Sequence, residues 1–248
     1  MAKDLFSVQA NAYAKYRPTY PKELFEYIIG FVHKKKCAWD CATGNGQAAT
    51  VLAGYFQQVD ATDISEAQIK NAVQKANVHY QVSPAEQTPF ANNSFDLITV
   101  AQAYHWLNWK TFHDEATRVG KQDAVIAIWG YNLFHCDDDT INGIIHHFYY
   151  NLVHQYWDKE RRHLEHAYQT VDFDFAPLPS KDFEIVCRWS KEAFMGYLSS
   201  WSTVQHYIQH HGTSPLLLIQ NNVDDEWPQN EIKEFRFPLF LKLGRITK

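Results

Sequence analysis

Short apolar blocks alternate with stretches of helical period through the first two-thirds of this chain. Residues 36–42 read as a brief strand. Ala48, Val51, Leu52 and Tyr55 then fall at i, i+3, i+4 and i+7, one face of a helix over 47–55. A second apolar run, 56–62, ends in Asp63. Ser65 opens a Ser-x-x-Gln capping pattern before Ile69, Ala72, Val73 and Ala76 at helical spacing. Residues 78–82, 95–101 and 124–129 predict three further strands, with a helix over 109–119 between the last two. The run at 95–101 is almost wholly apolar, as suits a sheet covered on both faces. Strands separated by helix-length connections predict an α/β domain with a doubly wound, mostly parallel sheet.

The remainder breaks the alternation. Ile141, Ile144, Ile145, Phe148, Leu152 and Tyr156 predict one long amphipathic helix over 139–157, followed by a solvated charged stretch at 158–166 and a proline-containing loop at 172–180. A strand is predicted at 183–189. A helix capped by Ser190 follows, with Phe194, Tyr197, Leu198 and Trp201 on one face. Alternating Phe235, Phe237, Leu239, Leu241 and Leu243 predict a half-buried last strand, in which Pro238 requires a bulge or a protected position. The expectation is one domain over 1–248, with an insertion at 131–180.

Composition narrows the functional classes. The formal charge is −5 over 248 residues with both signs interspersed, which disfavours a sequence-independent nucleic-acid surface. Cys37, Cys41, Cys136 and Cys187 form no CxxC pair, which fits a reduced, cytoplasmic setting. No run approaches the roughly 18 apolar residues of a membrane span. His146-His147, His163-x-x-His166 and His206-x-x-x-His210 lack acidic or cysteine partners at ligand spacing, so no metal is expected.

The candidate chemistry begins at the first strand. Asp40 precedes a turn through Gly44 and Gly46, and Asp63 lies nineteen positions beyond Gly44. Gly44-x-Gly46-x-x-Ala49 fits a dinucleotide fingerprint, and Asp63 is placed to accept hydrogen bonds from ribose hydroxyls. An NAD(P)-linked oxidoreductase is therefore one reading. Asp40 argues against it, because an anion beside the turn would repel a pyrophosphate. The same charge suits S-adenosylmethionine, whose amino-acid end carries an ammonium group and whose sulfonium is cationic. The alternative role for Asp40 is to cap the turn that follows it.

Four stretches carry a family resemblance: Tyr16-Arg17-Pro18-Thr19-Tyr20-Pro21; Asp40-Cys41-Ala42-Thr43-Gly44-Asn45-Gly46-Gln47; Ala85-Glu86-Gln87-Thr88-Pro89-Phe90, leading into Asn93-Ser94-Phe95-Asp96; and Gln102-Ala103-Tyr104-His105-Trp106. The chain resembles class I S-adenosylmethionine-dependent methyltransferases of the type 11 group, and within them trans-aconitate-methyltransferase-like proteins. The resemblance implies a Rossmann-like, seven-stranded sheet with a helical lid insertion over the acceptor pocket. It also implies an N-terminal lid segment over 1–30 and S-adenosylmethionine as cofactor, with S-adenosylhomocysteine as product. Cofactor contacts are implied at Tyr13, Arg17, Asp40, Ala42, Gly44, Gly46, Asp63, Ile64, Ala85, Glu86 and Gln102. Ala42 replaces the family's usual first glycine, and Pro84 stands where many relatives place an aspartate that meets adenine.

His105 follows the fourth strand at the sheet edge where such folds bind ligands. It could act as general base toward a hydroxyl, as a cationic clamp on a carboxylate, or only as a brace for the loop. Trp106 could line the acceptor pocket or face the sulfonium. Arg17 could hold the methionine carboxylate or an anionic acceptor. The expected reaction is methyl transfer to a small-molecule acceptor, on a carboxylate or hydroxyl oxygen, by a monomer or homodimer with no nucleic-acid or membrane partner. A non-catalytic S-adenosylmethionine-binding module is the remaining alternative.

Overall fold

Strand β1 (Cys37–Cys41) runs through the middle of a sheet and is flanked by β2 (Gln58–Asp63) and β4 (Phe95–Ala101). The computed structural model describes residues 16–248. Strand β3 (Val78–Val82) pairs with β2, and β5 (Gly120–Tyr131) pairs with β4, all in parallel. Two-residue strands β6 (His135–Cys136) and β7 (Ala176–Pro177) and the longer β8 (Phe183–Trp189) all pair with β9 (Lys233–Arg245), antiparallel. The seven longer strands thus run β3-β2-β1-β4-β5-β9-β8, with β6 and β7 added on β9. Among the described residues there are nine strands, where the sequence predicts seven. Fragments as short as β6 and β7 carry no period to read.

Both faces of the sheet are covered. Leu24, Phe25 and Ile28 of the helix Lys22–Ile29 pack with Ala48, Leu52, Trp129 and Phe237 on one face. Trp39, Phe95, Ile98, Ile126 and Ile128 pack on Phe112 and Tyr168 on the other. Trp39 and Trp129 are wholly buried, on opposite faces. Truncating a buried aromatic of this size to alanine costs about 3–5 kcal/mol.

Strand β5 is longer than its apolar block, because a bulge adds residues before the core run. Phe95 pairs with Gly120 but Leu97 with Val125, and Asp123 takes a positive φ of 63°. Pro238 occupies a protected position. Its carbonyl accepts from Asn132 N–H at 3.1 Å, so its ring nitrogen faces the interval between β5 and β6, and the ladder to β8 is undisturbed.

Three expected elements differ. The helix after Ser65 stops at Lys70, because Val73 turns its N–H to Asn45 O; Val73 is exposed. The predicted 139–157 helix is α-helical only over Asp139–His146. It widens to a π-turn at His147–Leu152 and tightens to a 3₁₀ turn at His154–Tyr156. The Val153 N–H bonds to Phe148 O at i−5. The wider turn brings both Phe148 and Tyr149 inward against Trp201. The charged stretch 158–166 is not simply solvated: Arg161–Glu165 is helical, and Leu164 and nearby Tyr168 are buried. No helix among the described residues is long and apolar enough to cross a membrane.

Candidate active site

Strands β1, β2 and β4 end side by side at Cys41, Asp63 and Ala101, and the loops beyond them enclose a cavity of about 240 Å³. This carboxyl edge of an open sheet is where ligands of such folds bind. After β1 the chain makes a left-handed turn, with φ +54° at Ala42, +56° at Gly44 and +85° at Gly46. Glycine bears such angles without strain, whereas alanine does not. Gly46 also leaves room for Tyr80, whose hydroxyl and ring edge a Cβ there would displace. Gly44 and Ala42 line the cavity; Gly46 does not.

Asp63 reaches the cavity wall with both oxygens oriented by backbone. Gly44 N–H donates to Oδ2 and Ser65 N–H to Oδ1, each at 2.8 Å. Ile64, Ser83, Ala85 and Leu107 line the same cavity. Glu86 lines it while accepting from Asn108 N–H at 2.9 Å, which ties this loop to the start of the helix Trp109–Val119.

Asp40 is turned away from the cavity. It is fully buried and accepts from Thr43 Oγ1 at 2.5 Å, Ala49 N–H at 3.0 Å and Thr99 Oγ1 at 2.7 Å. The carboxylate that the sequence assigns to the cofactor's amino-acid end braces the turn and the first turn of the helix Gln47–Leu52 instead. Burial pushes its pKa up to about 6 against those three hydrogen bonds. The electrostatic argument against a pyrophosphate passes to the cavity wall, where Asp63, Glu86 and Glu160 are carboxylates and, among the described residues, no lysine or arginine takes part.

A second cavity, of about 50 Å³, adjoins the first. Arg17, His105, Tyr131, Asn132, Trp157, Asp158, Arg161 and Tyr197 line it, and Gln102 and Trp106 line both cavities. Arg17 donates through Nη1 to the Tyr131 hydroxyl at 2.7 Å, with its guanidinium 5.8 Å from the Tyr197 ring centre. It stands on this side, away from the glycine turn. Tyr13 lies outside the described residues. Gln102, at φ +56°, is anchored to the backbone of Tyr131.

His105 is 5% exposed, and its Nδ1 lies 2.9 Å from the Tyr168 hydroxyl. Burial, with smaller contributions from Arg161 and His163, lowers its pKa to about 3. That shift favours a neutral ring near pH 7 over the cationic clamp among the roles the sequence allows. The permanent positive charge comes from Arg17 and from Arg161, whose guanidinium sits 3.8 Å over Trp157 and donates through Nε to Tyr149 Oη at 3.1 Å.

Arg161 and Glu160 are functional candidates that the sequence reading missed, because the run around them is charged. A signal does exist. Trp157, Arg161, Leu164 and Tyr168 fall at i, i+4, i+7 and i+11, one helical face.

The profile of the methyltransferase-domain family matches residues 39–128, which hold the first cavity's glycine turn and most of its wall. A Dictyostelium discoideum protein with a methyltransferase name is 30% identical over 249 residues, covering 98% of this chain and 95% of that protein. The structure of a protein from Anaeromyxobacter dehalogenans, described as a type II methyltransferase, superposes with a TM-score of 0.85 at 35% identity, over 93% of this chain and 98% of that one. A methyltransferase-named protein of Bacillus halodurans shares the fold at a TM-score of 0.52 and 21% identity, over 92% and 100% of the two chains. With the acid-lined cavity at the glycine turn and a relative matched along its length, the chain belongs to the class I S-adenosylmethionine-dependent methyltransferases.

Proposed function

We propose that this enzyme methylates a small-molecule acceptor on a carboxylate oxygen, with the methyl donor in the larger cavity and the acceptor in the smaller one. One observation carries the reading: the smaller cavity is lined by two guanidinium groups, Arg17 and Arg161, beside a histidine held neutral. Guanidinium matches a carboxylate by paired hydrogen bonds. A carboxylate is already a nucleophile and needs no base. A hydroxyl acceptor would need a base with a pKa near the working pH, and an imidazole at about 3 is far below it. The resemblance to trans-aconitate-methyltransferase-like proteins, which esterify acids, points the same way.

The larger cavity fits the donor. Asp63 is oriented to accept from ribose hydroxyls, and Ile64, Ala85 and Leu107 offer apolar surface to adenine. Ser83 stands beside Pro84 as a polar neighbour for that base. Glu86 and Glu160 add negative potential that favours ammonium and sulfonium groups. The bound cofactor supplies an electrophilic methyl group: as the acceptor oxygen bonds to that carbon, the carbon–sulfur bond breaks and its electron pair stays on sulfur, yielding S-adenosylhomocysteine and a methyl ester with no proton released. Gln102 and Trp106, common to both cavities, form the seam across which the methyl passes and help exclude water from it. His105 and Tyr168 hold the Trp106 side of that seam in place. The segment 131–180 and Arg17 act as the cover over the acceptor.

Transfer of labelled methyl from S-adenosylmethionine to a panel of small carboxylic acids tests this. The expected product is a base-labile methyl ester. Arg17→Gln and Arg161→Gln should each raise the acceptor KM by roughly 10-fold or more while sparing affinity for S-adenosylhomocysteine. Asp63→Ala should weaken that affinity. Base-stable ethers or amines as the only products, or unchanged acceptor KM in both arginine variants, would refute the carboxylate reading. Binding without transfer to any acceptor would favour a non-catalytic module.

A further inference from the structure

Three residues that line the smaller cavity each carry a buried polar atom that makes no hydrogen bond among the described residues: Asn132 Oδ1, Trp157 Nε1 and Asp158 Oδ2. An unpaired buried polar atom is costly, and a charged one more so, so such atoms gathered around one cavity mark a surface built for a partner. Asp158 is the most demanding of them. Its side chain is 13% exposed, and the nearest basic group is His206, with Nδ1 at 3.8 Å from Oδ2. That nitrogen already bonds to the Tyr156 carbonyl at 2.9 Å, so Asp158 gains no hydrogen bond from it.

The unpaired atoms stand beside the cationic ones. Trp157, Asp158 and Arg161 sit within five residues, with the Arg161 guanidinium stacked on Trp157. Asn132 follows Tyr131, whose hydroxyl holds Arg17. The cavity therefore offers two cations for a carboxylate and, beside them, an anionic and a neutral oxygen that require a donor.

We propose that the acceptor is a small carboxylic acid that also carries a hydroxyl or ammonium group, and that Asp158, with Asn132, accepts the hydrogen bond from that group. This rests on the carboxylate reading and narrows it. A bare monocarboxylate leaves Asp158 unpaired in the complex. A second carboxylate at the same end meets a like charge and is rejected. Asp158 is thus a specificity-determining residue supplied by the insertion, and Trp157 Nε1 is a donor for the far side of the same substrate.

The test is calorimetric binding to protein saturated with S-adenosylhomocysteine. The probes are butanoate, its 2-, 3- and 4-hydroxy and amino derivatives, and succinate. At least one hydroxy or amino acid should bind roughly tenfold or more tightly than butanoate, and succinate should bind no better than butanoate. Asp158→Ala should abolish that preference. Asp158→Asn should abolish it for the amino acids alone and keep it for hydroxy acids, which separates the two donors. The ratio of two ligands on one variant is its own control for folding. Butanoate binding as tightly as every derivative, succinate binding tightest, or a preference that survives Asp158→Ala overturns the inference while leaving a carboxylate acceptor standing. Failure of every acid to bind, with the cofactor product still bound, overturns the carboxylate reading and this inference together.

Discussion

Gln102 holds the backbone of Tyr131 at both its polar groups: Oε1 accepts from the Tyr131 N–H at 2.7 Å and Nε2 donates to the Tyr131 carbonyl at 3.2 Å. The pair couples the end of β4 to the end of β5 in the wall common to both cavities. Gln102→Leu keeps the bulk but leaves both backbone groups without these partners. The variant should lose about 2 kcal/mol in urea unfolding. It should also bind both S-adenosylhomocysteine and acceptor less well. A variant altered toward one ligand alone would show that Gln102 serves a single cavity.

Ala42 carries a positive φ where glycine would be unstrained. The left-handed region costs an alanine about 1–2 kcal/mol, and glycine returns part of that through its freer unfolded chain. Ala42→Gly should therefore stabilise the protein by roughly 0.5–1 kcal/mol, read as a raised Tm. A lowered Tm would mean that the alanine methyl packs usefully in the wall.

Asp40 gives a pH signature. Its folded pKa, about 6, lies above the ordinary 3.8, so the native state holds the proton more tightly than the unfolded chain. The wild type should therefore lose stability relative to Asp40→Asn as pH rises from about 4 to about 6, by on the order of 3 kcal/mol. Asparagine can still accept from Ala49 and Thr43 through its oxygen and donate to Thr99, so the variant should fold. A constant difference in unfolding free energy between the two proteins over that range would show that Asp40 is not raised.

His105 shifts the opposite way. Its folded pKa, about 3, lies below the ordinary 6.5, so the unfolded chain binds the proton better. Wild type should lose stability relative to His105→Gln as pH falls from about 6.5 toward 4, by about 3 kcal/mol. Over pH 6–8 the acceptor kcat/KM of wild type should show no imidazole ionisation, and His105→Gln should chiefly raise KM. A wild-type rate that falls with a pKa near 6 and is lost in the variant would make His105 the base and the acceptor a hydroxyl.

Strands β3, β4 and β8 and the helix Trp109–Val119 were legible to the residue, and the helix Lys191–Ser199 at its start, though it ends before Trp201. Each is a clear apolar block or an amphipathic run, and Asn108 and Ser190 cap the two helices. The glycine turn was legible because few residues but glycine bear its backbone angles, and the place of Asp63 at the cavity because it closes the strand beside that turn. For Asp40 the turn-capping role was legible only as the alternative, since spacing places an α-carbon but says nothing of which way a carboxylate turns when Thr43, Thr99 and Ala49 compete for it. The π-turn at 147–152 hid behind a stripe that an α-helix would also satisfy. Arg161 hid among charges because a guanidinium on an indole leaves no apolar mark in the sequence.

Among the described residues, the two cavities meet at Gln102 and Trp106 alone. The turn after β1 and the end of β2 build one side of that boundary; the residues around Arg17 and the segment from Trp157 to Arg161 build most of the other. On the proposed assignment, substitutions in those outer segments alter the acceptor's surroundings and, among the described residues, touch the donor's wall at Tyr20 and Glu160 alone. With the acceptor in the smaller cavity, as proposed, a lineage would exchange one substrate for another through a few replacements at 157, 158 and 161. Descent would then hold the machinery of methylation steady while the identity of what is methylated drifts.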